Sequence, residues 1–137
     1  MIRHVAGIAE IVEDFERAVS HYQDTLGLEV RREADGYATV RVGGVAHFGI
    51  WQRALAAQIV FGDRAATDRI PLGFSIGFEV DCVAEAEQLL RGKGARVVQG
   101  TQDEPWGQRT SRFLALSGAL CEVSETPNAR RVAVAVE

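Results

Sequence analysis

Glu122, the histidines His4, His21 and His47, and the cysteines Cys82 and Cys121 carry the acid–base, nucleophilic and ligand chemistry to be weighed first in this chain. A carboxyl in a desolvated pocket can act as a general acid or base, and a thiol at a helix N-terminus is activated by the helix dipole. Cys82 precedes a predicted helix, but no histidine neighbours it in sequence to serve as its base. Cys121 adjoins Glu122 on a predicted strand, so it faces the opposite side and is expected to pack under a helix. Two cysteines cannot build a disulfide scaffold, and with three histidines they show no spacing suited to structural zinc. No Ser/His/Asp arrangement has a recognisable spacing, and Gly43-Gly44 is too short for a phosphate loop. The aromatic residues Tyr37, Phe48, Trp51, Phe61 and Trp106 offer stacking surfaces, each ring pair adding about 0.5–1.5 kcal/mol beyond area burial.

The elements that must position these side chains come in two copies. In the first, Asp14 is a helix N-cap, Phe15, Ala18, Val19, Tyr22 and Leu26 recur at helical spacing, and Gly27 stands at the C-terminal cap. In the second, Cys82 takes the cap position, Val83, Ala86, Leu89 and Leu90 form the stripe, and Gly94 ends it. Asp14 and Cys82 lie 68 positions apart, and Gly27 and Gly94 lie 67 apart. A steady offset across a whole helix is the mark of a duplicated unit.

Around the first helix, strands are predicted at 4–12, 28–33, 37–42 and 45–52, with turn signals at Asp35-Gly36 and Gly43-Gly44. Around the second, strands are predicted at 73–80, 95–99, 108–116 and 119–124, with a loop at Pro105-Trp106-Gly107. The fold class is therefore α+β, two tandem βαβββ modules at 4–52 and 73–125. A linker at 53–72 holds a helical turn at 54–59, and a tail occupies 126–137. The tail, with Val132-Ala133-Val134-Ala135-Val136, reads as frayed or as a strand for another chain.

Composition bounds the function classes. The 137 residues are 47% hydrophobic and 25% charged, as in an ordinary globular domain. No apolar run approaches the ~20 residues that cross a bilayer, and the first residues lack a signal-peptide core, so a cytoplasmic location is expected. The net charge of −4 and the scattered arginines argue against nucleic acid or a membrane surface as partner.

Gly7-Ile-Ala-Glu-Ile-Val-Glu-Asp-Phe-Glu-Arg-Ala-Val-Ser-His-Tyr-Gln-Asp-Thr-Leu-Gly-Leu28 resembles the opening of the vicinal oxygen chelate superfamily. That superfamily includes glyoxalase I, extradiol dioxygenases, fosfomycin-resistance transferases and bleomycin-resistance proteins. Phe78-Glu79-Val80, Lys93-Gly94-Ala95, and Pro105-Trp106-Gly107-Gln108-Arg109 leading to Gly118-Ala119-Leu120-Cys121-Glu122 look like its second half. The resemblance implies curved mixed sheets around a cleft, and a homodimer.

It also implies four metal-ligand positions, which fall at Gly7, Ser75, Phe48 and Glu122. Only Glu122 has ligand chemistry there, so no metal and no other cofactor is expected. His4 lies an odd number of residues from Gly7 and, on a regular strand, would face the other way; His47 beside Phe48 faces the same obstacle unless Gly43-Gly44 makes a bulge. His21 lies on the first helix, where the superfamily usually has an apolar residue. The register of the hairpin at Ser117-Gly118 decides whether Glu122 pairs with Phe113, or with Arg112 or Leu114 after a bulge.

The ligand-binding residues expected from this reading are Phe48, Trp51, Trp106 and Glu122, with His47, Arg112, Phe61, Tyr37 and Ser75 as further contacts and no catalytic residue. The function expected is metal-independent sequestration of a bulky aromatic or peptide-like natural product, as in bleomycin-resistance proteins. The alternative is an enzyme of the same superfamily, either metal-dependent or using Glu122 as general acid or base.

Overall fold

The Asp14 carboxylate accepts a hydrogen bond from the Arg17 amide at 3.1 Å, which caps a helix directly after the first strand. That cap begins a sequence of elements that the computed structural model describes over residues 1–126. They are β1 (Ile2–Val12), α1 (Phe15–Ser20), β2 (Glu29–Ala34), β3 (Tyr37–Arg41), β4 (Phe48–Gln52) and α2 (Arg53–Phe61). The second half contributes β5 (Gly73–Val80), α3 (Val83–Gly92), β6 (Arg96–Asp103), β7 (Arg109–Leu114) and β8 (Leu120–Glu125). A π-helical turn, His21–Thr25, prolongs α1, and a 3-10 segment, Arg64–Arg69, follows α2. The βαβββ order therefore occurs twice, and the linker between the copies carries a nine-residue helix where a single turn was expected. The tail reading at 127–137 lies outside the described residues.

All eight strands form one curved sheet in the order β2-β3-β4-β1-β5-β8-β7-β6. Within each module the first strand runs parallel to the last, β1 with β4 and β5 with β8, and the modules meet where β1 pairs antiparallel with β5. One face of the sheet is covered by α1 and α3. Phe15, Val19 and Tyr22 of the first helical unit pack on Ala38, Val40 and Ile50, with Phe48 against the same cluster. Val83 and Ala86 of α3 pack on Val80 and Val123, while Leu89, expected in that stripe, is half exposed. On the opposite face α2 covers one end, where Ala56, Ala57 and Val60 meet Ile11, Ile70 and Leu120. The rest of that face is left for a site.

Phe48 therefore belongs to the core and not to the cleft. Residues 43–47 leave strand geometry, and β4 starts only at Phe48, which pairs with Ile8 and sets its ring edge-on to Tyr22 at 5.7 Å between centroids. Counting from the hairpin glycine was one residue out, because the irregular segment changes the side-chain parity. Replacement Phe48→Ala should cost about 3 kcal/mol of unfolding free energy, measured by urea denaturation, as expected for a core ring.

Candidate functional site

The row of residues across the middle of the open face is His47 before β4, Gly7 on β1, Gly77 on β5, Glu122 on β8 and Arg112 on β7. Gly7 pairs with Gly77, Gly77 with Glu122, and Glu122 with Arg112. The His47 carbonyl accepts the Ile8 amide at 2.9 Å, which fixes His47 beside Gly7. Two glycines thus form a floor without side chains, with a histidine on one wall and a carboxylate on the other.

Gly7 of the floor and Gly49 on β4 are required by the first wall. A Cβ on Gly7 would lie 3.1 Å from the His47 carbonyl oxygen and 3.2 Å from its Cβ, and one on Gly49 would lie 3.2 Å from the Tyr37 ring and hydroxyl. Both distances are tighter than ordinary carbon contacts, so side chains there would push out the His47–Tyr37 pair. The two rings stack at 6.0 Å between centroids, and the Tyr37 hydroxyl hydrogen-bonds His47 Nε2. Burial, with Glu122 and Glu33 adding to it, pushes the Tyr37 phenol above its ordinary 10.0, so it stays protonated. Loss of solvent lowers the His47 pKa from 6.5, against the pull of Glu33. A neutral imidazole that accepts the phenol proton at Nε2 carries its own proton on Nδ1, leaving a donor for a ligand.

The second wall is an ion pair. Arg112 Nη2 donates to Glu122 Oε2 at 3.2 Å, and among the described residues no hydrogen bond reaches Glu122 Oε1. The hairpin from β7 to β8 closes through Ala115 N to Ala119 O at 2.8 Å, a longer loop than two residues, and this is what pairs Glu122 with Arg112 rather than Phe113. Arg112 is only 2% exposed, and its Nη1 is also bonded by Gln99, by Glu104 at 3.2 Å and by Thr110 at 3.4 Å. Burial pushes the Glu122 carboxyl above the ordinary 4.5; the Arg112 charge pulls it back and Glu104 adds to the rise. Next along the face, the Trp51 ring lies under the Arg112 guanidinium at 5.7 Å and joins the α2 cluster.

The face thus gathers Tyr37, His47, Trp51, Arg112 and Glu122. Ser75 shares it, opposite Ala9, with its hydroxyl 3.4 Å from the Ala9 carbonyl. Phe61 is held apart in the α2 cluster with Arg69 stacked 3.9 Å from its ring. Trp106 is 55% exposed on the turn between β6 and β7, bonded through Nε1 to Gln108 at 2.9 Å, and is not brought to the groove. His21 stays on the outside, on the π-helical turn. His4 lies on the groove side and not on the opposite face that a regular strand would give it: a bulge between Val5 and Gly7 shifts the parity and sets His4 opposite Glu79.

In register across the four strands the metal positions of the superfamily fall on His47, Gly7, Gly77 and Glu122, with Ser75, the position expected from the sequence, two residues along β5, so two donors stand there where one is expected. They still do not suit a metal. His47 Nε2 is taken by Tyr37 and Glu122 Oε2 by Arg112, and among the described residues no group of three or more His, Cys, Asp or Glu side chains could hold an ion.

Paired βαβββ modules with a site on the open face define a class. The chain belongs to the Glyoxalase/Bleomycin resistance protein/Dioxygenase superfamily, whose family model matches residues 2–123. Among solved structures it is similar to a superfamily member from Vibrio splendidus, with 16% identity and a TM-score of 0.63 over 92% of this chain and 100% of that one. A Streptomyces coelicolor methylmalonyl-CoA epimerase in complex with 2-nitronate-propionyl-CoA gives 15% identity and a TM-score of 0.60, covering 93% of this chain and 99% of the other. A Legionella pneumophila structure titled NAD-dependent benzaldehyde dehydrogenase gives 13% and 0.62, covering 86% and 96%. At such identities the likeness concerns the fold alone. No curated protein sequence matches the chain. No helix among the described residues is long and apolar enough to cross a membrane.

Two outcomes test the first wall. The His47 ring protons, followed by NMR, should titrate with a midpoint below 6.5. Because the folded state holds fewer protons than the unfolded chain between the two pKa values, His47 should make the protein less stable as pH falls from about 7 to 5, and His47→Gln should flatten that part of the melting curve. Replacement Gly7→Ala should cost about 1–3 kcal/mol in chemical denaturation and raise the His47 midpoint as the ring is displaced toward water.

Proposed function

We propose that this protein binds a small organic molecule in the groove between Tyr37–His47 and Glu122–Arg112 without a metal, and sequesters it. The observation that supports this most is the use of the two remaining ligand-type side chains: each is engaged by a neighbour, His47 by Tyr37 and Glu122 by Arg112. A glycine floor gives a flat molecule room to lie on the sheet, and Trp51 gives it one aromatic border. Both walls are polar, so the preferred ligand combines a planar ring system with groups that accept and donate hydrogen bonds, as many peptide-like natural products do. Such a protein would act in the cytoplasm as a homodimer.

A second reading has one observation in its favour. A partly buried carboxyl held above the ordinary carboxylate range, with one oxygen unbonded among the described residues, suits proton abstraction from a carbon acid. The groove would then be the active site of a metal-independent enzyme with Glu122 as general base.

One experiment separates the readings. Thermal-shift screening against aromatic and peptide antibiotics, with zinc, nickel and manganese in parallel, should give a shift of several degrees with an antibiotic, since ligand at 100 times its Kd stabilises by about 2.7 kcal/mol. The ligand recovered after incubation in deuterated buffer should be unchanged by mass spectrometry. Tyr37→Phe should weaken binding about fivefold, roughly 1 kcal/mol. Deuterium uptake or a new product overturns sequestration in favour of the enzyme, and a shift with a cation alone overturns both metal-free readings.

A further inference from the structure

Helix α3 buries one flank on the sheet and shows the other to solvent. Val83 and Ala86 are buried, while Glu85, Gln88, Leu89, Gly92 and Lys93 are exposed and line a surface cavity of about 490 Å³. Leu89 is an aliphatic side chain 50% exposed, and Gly92, one turn further on, lets another backbone come close. Glu85, Leu89 and Lys93 follow at four-residue steps and so form one stripe along the helix. Glu87 on the same helix pairs with Arg91, but among the described residues neither Glu85 nor Lys93 has an ion pair. An acid and a base thus bracket an exposed leucine at equal distances, about 6 Å each way along the axis.

That order is self-complementary. When two copies of α3 lie antiparallel about a two-fold axis through Leu89, Glu85 of each copy meets Lys93 of the other, and the two Leu89 side chains meet at the centre. A parallel pairing would set Glu85 against Glu85, so the charges select the antiparallel one, which also brings each helix N-terminus beside a C-terminus. We propose that this face of α3 is the contact of a symmetric dimer, with a second copy of this chain as its partner. The inference rests on the homodimer reading of the proposed function and adds the surface that makes the dimer. Helix α1 supports the same arrangement: it lies on this face of the sheet too, and its exposed Arg17 and Asp24, two turns apart, have no ion pair among the described residues. Antiparallel packing of two α1 helices pairs Arg17 with Asp24 in the same way. On this face of the sheet Phe74 is 55% exposed and Val5 is 42% exposed, in line with Phe78, which packs under α3, and the dimer shields that apolar strip. Exposed ion pairs are each worth little, so they fix orientation while apolar contact supplies affinity. The groove lies on the opposite face, so both copies keep it open.

Lys93 is the only lysine in the chain, so a carbodiimide, which joins an amine directly to a carboxylate, has only Lys93 and the N-terminal amine to act on. Light scattering of the full chain should give a dimer, and carbodiimide should trap it as a covalent dimer whose digest contains Lys93 joined to Glu85. Within one helix those residues lie about 12 Å apart along the axis, too far for a direct bond, so the link comes from two copies. Lys93→Arg should abolish the link and keep the dimer. Glu85→Lys or Lys93→Glu alone opposes like charges and should raise the dimer dissociation constant about tenfold, since two-fold symmetry counts each reversal twice; the double variant should restore it. All these side chains are exposed, and an unchanged circular dichroism spectrum separates a lost interface from a lost fold. A chain that stays monomeric overturns this interface and the homodimer reading together. A dimer that yields no Lys93–Glu85 link, ignores the reversals or is not restored by the double variant overturns the interface and leaves the homodimer reading standing.

Discussion

The antiparallel pairing of β1 with β5 is the constraint on which the site depends. It joins two half-sheets into one, and it sets Gly7 against Gly77 so that four adjacent strands present one continuous row from His47 to Glu122. A side chain on Gly7 would meet His47 at once, so backbone pairing at the seam and room for the histidine ring are parts of one requirement. The same seam carries the bulge that turns His4 inward. Covering of the opposite face by α1 and α3 leaves only this side open, and α2 closes one end of it.

Electrostatics rank second. Arg112 is buried almost completely, and a guanidinium there is tolerated only because Glu104, Glu122, Gln99 and Thr110 surround it. Gln102 extends that network to α2, donating to the Ile59 carbonyl at 3.0 Å and to Glu104 at 2.7 Å. That wall of the groove is therefore braced from behind, through the linker helix, and the position of Glu122 depends on residues of the second module and of the segment before it.

A superfamily fold whose ligand positions have changed chemistry gives a simple rule for function. The sheet still brings four positions to one row, with glycines at two of them and a Tyr–His pair and an Arg–Glu pair at the others. Geometry is kept while the chemistry moves, which is how one fold hosts many functions.

The duplicated modules, both helices with their caps, the order of strands and the superfamily were legible in the sequence, because helical periodicity, capping residues and turn glycines act over a few residues. The segment from 73 to 80 and the helix from 83 to 92 were read to the residue for that reason. Of the residues expected at a ligand, Glu122, Tyr37, Trp51 and Ser75 share the open face, and Arg112 is one of the possible partners the sequence offers for Glu122. Which of Phe48 and His47 faces the groove, whether His4 turns inward, and whether Glu122 meets Arg112 or Phe113 were decided only in the tertiary structure. Each of these is a question of strand parity, and a single bulge or a longer hairpin loop inverts it without leaving a mark in the local sequence pattern. The sequence alone determined which elements form; pairing between distant strands determined which way their side chains point.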